Sequence, residues 1–208
     1  MAELTFWDLF LNQIEKKFGK KLGASQRQSI LNVINYFQDN YSGYNYQYLL
    51  YILANNKWET MHRWIPVMEK RASKLKQPQV FAWQERYWHT GFMGRGKTQI
   101  TWVDNYRKFT PICQLKLGDP TIDLVKNPDK AMDDMVSTII MVEGMMQGLF
   151  RKNSNKQPIK LTDFMDKKNS LNTDAARAVV NTIDGKYITQ IFNQLKACYE
   201  TTSKYKSI

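Results

Sequence analysis

The chain has 208 residues, of which 43% are hydrophobic and 13% aromatic, and its 30 Lys and Arg against 19 Asp and Glu give a formal net charge of +11. This length fits one domain with its own core, and the content of core-forming residues excludes an intrinsically disordered chain. With only Cys113 and Cys198, a disulfide framework is excluded, and we expect no metal site.

The positive charge favours polyanionic partners such as nucleic acid, anionic lipid or the acidic polymers of a bacterial envelope. The basic residues are dispersed, and no zinc-finger, RNA-recognition or Gly-rich phosphate-loop pattern is present. We therefore expect attraction to an anionic envelope and no nucleic-acid partner, with DNA binding as the subordinate alternative. The N-terminus carries Glu3 and Asp8 instead of a basic region, and no apolar run is long enough to cross a bilayer, so neither a signal peptide nor a transmembrane segment is expected.

Two helices are predicted in the N-terminal part of the chain, residues 1–44. Apolar residues four apart predict an amphipathic helix over about residues 5–18. Ser25 followed by Gln28 has the form of a capping box, which predicts the start of a second helix that ends before Gly43.

A third, more apolar helix is predicted from about Tyr46 to Glu59 and is expected to be largely buried. From residues 63 to 93 the periodicity is poor, and Pro66 and Pro78 interrupt regular structure. A long irregular stretch inside a compact domain is usually functional, which draws attention to the residues beside it.

The remaining chain predicts, in order, a short extended piece at 99–101, a helix beginning at 104–109, a loop over 111–128, a methionine-rich helix over about 132–148, and helices at about 162–167, 173–183 and 186–202. A methionine stripe at helical spacing indicates core packing. We therefore expect residues 1–208 to form a single all-α or α-dominated domain, with at most a small β-hairpin.

Two carboxylates flank the start of the irregular stretch. Glu59 lies at the predicted end of the buried third helix, and Glu69 follows ten residues later, beyond Pro66. Such a segment can hold two carboxylates on opposite sides of a cleft, which is what glycoside hydrolysis requires of its acid and base. The pairing alone is weak evidence in a chain with 19 acidic residues.

Six sequence motifs, two of which contain these glutamates, strengthen the evidence for the pairing. They are YILANNKWET at 51–60, PVME at 66–69, GRGKTQITWVDNY at 94–106, IDLVKNPD at 122–129, VEGM at 142–145 and ARAVVN at 176–181. In this order and spacing, over residues 45–195, they resemble the family 19 glycoside hydrolases, which include chitinases and bacteriophage endolysins.

The resemblance implies a lysozyme-like, two-lobed helical domain with a central substrate groove, acting by inversion and without a cofactor. Glu59 matches the family's general acid, and Glu69 matches the second carboxylate that activates water. Thr101 matches the residue that helps to hold this water.

Other matches concern the sugar. Gln99 and Asn105 match residues that orient the sugar or the catalytic network, and Asn181 matches an asparagine that contacts an N-acetyl group. Independently of the family, an aromatic residue such as Trp64 suits a groove in which sugar faces stack on rings.

The chain departs from the family at several positions. Trp58 stands where the family has histidine before the acid, and Thr182 stands where glycine usually follows Asn181. Residues 70–93 align with no member, so Glu85 is a rival for the second carboxylate.

The expected activity is hydrolysis of β-1,4 bonds in an N-acetylated aminosugar polymer by a monomeric enzyme. Peptidoglycan is favoured as the substrate, by a phage-type endolysin that is held in the host cytoplasm until release or carried in a virion. Chitin is the alternative substrate. Two other hypotheses stay open: a non-catalytic virion or glycan-binding protein that keeps the fold, and lysis by the basic C-terminal helix acting on membranes.

Overall fold

The structure, a computed structural model, describes residues 4–205. Within them it contains seven α-helices and one two-stranded antiparallel sheet: α1 Phe6–Phe18, α2 Ala24–Tyr41, α3 Tyr46–Glu59, β1 Val67–Met68, α4 Pro78–Glu85, β2 Arg95–Gly96, α5 Val103–Leu117, α6 Asp134–Gln147 and α7 Gly185–Tyr205. The predicted helix-dominated fold class is confirmed. No helix in the described range is both long enough and apolar enough to cross a bilayer.

The core is built around α3 and α6, whose residues are mostly buried. The apolar run Leu49–Ala54 of α3 packs against α7 on one side and contacts α2 and α6 on others, and α1 packs on α7. Met141 and Met145 of α6 are fully buried in this core, as the methionine stripe predicted. Because α3 is covered on several sides, residues 47–57 are buried, and the half-buried side chains are Tyr46 at its start and Trp58 and Glu59 at its end.

The start of α2 differs from the prediction. The Ser25 and Gln28 capping box is absent, because the helix begins earlier, where the backbone N–H of Gly23 donates to Oε1 of Gln26 over 3.0 Å. A capping box between Thr5 and Asp8, which was not predicted, lies at the start of α1.

The fifth helix corrects the expectation of a loop beginning at Pro111, because α5 continues through this proline to Leu117. Proline costs a helix one backbone hydrogen bond. Here Tyr106, Phe109 and Cys113 keep helical spacing across Pro111 and are fully buried in the core, and their burial outweighs the lost bond.

Two predicted helices in the C-terminal third are only short 3₁₀ turns. Instead of helices at 162–167 and 173–183, the chain has turns at Leu161–Phe164 and Ala175–Val179. After the second turn Asp184 takes a left-handed φ of 69°, and α7 begins at Gly185. The backbone between these points therefore folds back toward the end of α3.

Candidate active site

Glu59 is the last residue of α3 and points to the segment that precedes α7. Its Oε1 accepts a hydrogen bond of 2.6 Å from Nη2 of Arg177. The same guanidinium donates from Nη1 to Oδ1 of Asn55 over 2.7 Å and from Nε to the carbonyl of Ile183 over 2.9 Å. Arg177 is only 2% exposed, so its position, and that of the carboxylate it holds, is fixed by three contacts.

Burial and the ion pair act on the pKa of Glu59 in opposite directions. Loss of solvent raises the pKa, Arg177 lowers it, and the nearby charge of Asp184 raises it, with a net shift upward. No hydrogen bond within residues 4–205 reaches the second oxygen, Oε2. The side chain is 16% exposed, so Glu59 combines a restrained oxygen with one that is free to meet a ligand.

Glu69 comes directly after β1 and has three hydrogen-bond donors. Its Oε1 accepts from Nε2 of Gln84 over 2.9 Å and from the hydroxyl of Tyr87 over 2.6 Å, and its Oε2 accepts from the backbone N–H of Gly94 over 2.9 Å. Burial and the bond to Glu69 raise the pKa of Tyr87, so its hydroxyl remains a donor. Three donors suit an ionised carboxylate, which can accept about four hydrogen bonds and so keeps room for a water.

The close approach of Gly94 brings Gln99 beside Glu69. A Cβ at Gly94 would lie 2.9 Å from Oε1 of Gln99 and 3.2 Å from Oε2 of Glu69, so a side chain there would push these groups apart. Nε2 of Gln99 donates to the carbonyls of Val67 and Gly96 over 2.6 and 2.9 Å. The Gln99 amide is thereby fixed against the small sheet.

Thr101 and Asn105 extend this group along the start of α5. The Thr101 hydroxyl donates to the carbonyl of Gln99 over 3.1 Å, and Nδ2 of Asn105 donates to the carbonyl of Thr101 over 2.7 Å. Four of the predicted residues, Glu69, Gln99, Thr101 and Asn105, therefore form one connected cluster, here called the Glu69 group.

Asn181 belongs to the surroundings of Glu59. Its backbone N–H donates to the carbonyl of Arg177 over 2.8 Å, and its side-chain oxygen accepts from the backbone of Thr182 over 2.7 Å. The side chain is exposed. Glu59, Arg177, Asn55 and Asn181 form the Glu59 group, and no hydrogen bond or ion pair in the described part of the chain joins it to the Glu69 group.

Trp64 corrects the expectation of a groove-lining ring. It is 2% exposed, packs edge-on against Phe18, and its carbonyl accepts hydrogen bonds from Ser29 and Asn56. A ring enclosed in the core has no free face on which a sugar can stack. The aromatic residues near Glu59 that are not enclosed are different ones, one half-buried and one exposed.

Those residues are Trp58 and Tyr187, which stack with a ring-centroid distance of 5.0 Å and an angle of 7° between planes. Tyr187 is 53% exposed. Trp58 also lines, with Met61 and His62, a cavity of about 400 Å³. Trp58 and Tyr187 together form an aromatic platform at the end of α3.

Glu85, the rival for the second carboxylate, is solvent-exposed and forms an ion pair with Arg71. Arg71 therefore pairs with Glu85 and does not form an ion pair with Glu69. Glu85 takes no part in the Glu69 group, so Glu69 is the stronger candidate.

Sequence reasoning missed three residues that hold the two carboxylates: Arg177, Gln84 and Tyr87. Arg177 had a detectable signal, because it is the single charged residue in the otherwise apolar run from Ala175 to Val180. Gln84 and Tyr87 had none, since both lie in the stretch without periodicity. Residues 4–205 contain no group of three or more His, Cys, Asp or Glu side chains suited to a metal ion.

Comparisons of the chain with protein-family models, with curated proteins and with solved structures found no match. The arguments for function therefore rest on the motifs in the sequence and on the geometry of the two groups.

Proposed function

We propose that this protein hydrolyses β-1,4-glycosidic bonds in an N-acetylated aminosugar polymer, with Glu59 as general acid and Glu69 as general base. The observation that supports this most is the contrast between the two carboxylates. Glu59 is desolvated and its pKa is raised, whereas Glu69 accepts three hydrogen bonds. Two carboxylates in such different environments, one desolvated and one hydrogen-bonded, are typical of the acid and base pair of an enzyme.

In the proposed acid step, the carboxylic acid of Glu59 gives its proton to the glycosidic oxygen as the bond from that oxygen to the anomeric carbon breaks. Oε2 is the oxygen suited to this transfer, because Oε1 is held by Arg177. Once Glu59 is ionised, the same arginine stabilises the new charge.

In the base step, Glu69 accepts a proton from a water that attacks the anomeric carbon on the opposite face of the sugar. Gln99 is suited to orient this water, since its Oε1 and Oε2 of Glu69 both lie beside Gly94. Thr101, whose hydroxyl donates to the Gln99 carbonyl, is proposed for the same role from the motif match. Inversion follows from attack by water, and it requires roughly 6.5–9.5 Å between the carboxyl groups.

Peptidoglycan is the substrate that the charge favours, because a net charge of +11 concentrates a protein on an anionic envelope. Chitin oligomers share the N-acetylglucosamine unit and test the alternative. A role as a phage-type endolysin, as a monomer released to the cell wall or carried in a virion, is the biological setting that we propose with this substrate.

One observation favours a second function. The Glu59 and Arg177 pair is largely buried, and buried ion pairs also serve structure alone. A glycan-binding or virion protein without activity would keep this pair. Membrane lysis by the C-terminal helix has less support, because Ile188, Ile191, Phe192 and Leu195 of α7 are buried against the core.

The deciding experiment incubates the purified protein with peptidoglycan and, separately, with chitin oligomers, and identifies the products by mass. New reducing ends on peptidoglycan fragments, lost in Glu59→Gln, support the proposal. Unchanged polymers in both incubations, with binding retained, support the non-catalytic alternative. Muropeptides without new reducing ends contradict glycosidase action.

A further inference from the structure

A buried lysine near the end of α3 has no negative partner. Lys57 is only 7% exposed. Its ammonium lies 4.1 Å from the centre of the Phe18 ring and 5.2 Å from that of the Trp64 ring. Within residues 4–205 it donates no hydrogen bond and forms no ion pair.

The other buried lysine in residues 4–205, Lys97, shows which contacts Lys57 lacks. Lys97 is also enclosed, and its ammonium is bound by Oδ1 of Asp134 at 2.9 Å and by the hydroxyl of Thr138 at 2.8 Å. A buried ammonium is normally paired in this manner, since aromatic rings replace only part of its hydration. Lys57 has the rings and lacks the acceptors.

The Lys57 ammonium borders a cavity of about 220 Å³ between α1, α2 and the end of α3. Besides apolar side chains its wall contains Lys20, His62 and Gln26, and no described acidic residue lines it. Burial, and then the charge of Lys20, lower the pKa of Lys57 to about 8, so the amine is protonated at neutral pH. The cavity is therefore positively charged and without a counter-ion from the protein.

The turn that closes this cavity is conformationally costly. Met61, His62 and Trp64 have left-handed φ values of 51°, 63° and 68°. This backbone conformation is uncommon for residues other than glycine. It persists where the surrounding structure holds it in place, and such positions cluster at functional sites. Here it holds His62 beside Lys57, with the His62 N–H donating to the Lys57 carbonyl over 2.7 Å.

We infer that this cavity binds a small oxyanion, a phosphate or carboxylate group, which the Lys57 ammonium holds inside while Lys20 and His62 face it from the rim. The anion would supply the acceptors that Lys57 lacks and would neutralise the repulsion between the two lysines. This site is separate from the proposed hydrolysis, because it uses neither glutamate.

The test is a titration of the protein with inorganic phosphate, and in a second arm with acetate, followed by NMR of the Lys57 ammonium and the His62 ring. We expect saturable shifts of both groups. Saturation by phosphate at lower concentration than by acetate assigns the phosphate class, and the reverse assigns the carboxylate class. Lys57→Met keeps the packing on the two rings and should weaken binding by about ten- to a hundred-fold.

The matched control is Lys126→Met, which removes the same charge from a side chain that is 86% exposed. It should bind the anion as the parent does. Absence of saturable shifts in the parent overturns the inference, and so does equal binding by Lys57→Met and the parent. Because binding is measured directly, the result does not depend on whether the protein hydrolyses a glycan.

Discussion

Glu59 and Glu69 are the same residue type at the ends of neighbouring elements, yet their surroundings differ in kind. Glu59 shares a largely buried pocket with one cation, whereas Glu69 accepts hydrogen bonds from three neutral donors. At Glu59, the loss of solvent outweighs the charge of Arg177 and raises the pKa of the carboxyl group. The comparison teaches that the roles of the two carboxylates are decided by what each one touches and not by the glutamates themselves.

The largest effect is expected for Glu59→Gln. A glutamine can still accept from Arg177, so the fold should persist, but it cannot donate a proton to the leaving oxygen. Turnover of the susceptible polymer should fall by about 10²- to 10⁴-fold. Reducing-end assays measure this loss, with circular dichroism as the check on folding.

Glu85→Gln is the matched control, because Glu85 is exposed and outside both groups. Its turnover should equal that of the parent. A comparable loss in Glu85→Gln would move the second carboxylate to that position and remove the proposed role of Glu69.

Glu69→Gln should also lower turnover, by about a hundred-fold or more, since an amide cannot take a proton from water. It should lower the free energy of unfolding by about 1–3 kcal/mol as well. The new NH₂ group must face Tyr87, Gln84 or the N–H of Gly94, and one donor then lacks an acceptor. Urea denaturation of Glu69→Gln beside the parent measures this loss, and equal stabilities of the two would contradict the described contacts.

Arg177 offers a test of the pKa argument. Arg177 lowers the pKa of Glu59, so Arg177→Met should raise it. Because the proposed mechanism requires a protonated Glu59, the alkaline limb of kcat/KM against pH should move to higher pH. Arg177→Lys keeps the charge and should move it less. An alkaline limb that stays in place in Arg177→Met would show that Glu59 does not control it.

The smallest effect is expected at the aromatic platform. Tyr187→Ala removes the exposed ring that stacks on Trp58, and we expect KM for oligosaccharides to rise about three- to ten-fold with kcat nearly unchanged. Trp83→Ala removes another ring, 54% exposed on α4, and serves as control. Equal effects of the two substitutions would mean that the platform has no special relation to the substrate.

The sequence was sufficient where periodicity and local signals decide structure. The limits of α1, and the end of α3 at Glu59, agree with the predictions to within one residue. The sequence was insufficient where packing between residues far apart in the chain decides the structure. At Pro111, the burial of α5 in the core allows the helix to continue through a residue that normally ends one.

The candidate site shows the same division. Gln99 was assigned to the same site as Glu69 from the resemblance of the motifs, and Oε1 of Gln99 and Oε2 of Glu69 both lie beside Gly94. The contact of Arg177 with Glu59 joins residues 118 positions apart, which no spacing rule indicates. Nor can an aromatic residue such as Trp64 be assigned to a core or a groove until its neighbours are known.

The two-residue strands β1 and β2 have a consequence for heat inactivation. Glu69 is held by Gln84, Tyr87 and Gly94, which follow an exposed excursion of the chain at residues 73–80. The small sheet and the contacts of Arg95 with Asp129 and Tyr106 anchor the end of this segment. Local opening of that excursion can release Glu69 while the helical core stays folded. We expect the amide of Gly94 to exchange with deuterium much faster than that of Leu50, and enzymatic inactivation to precede global melting.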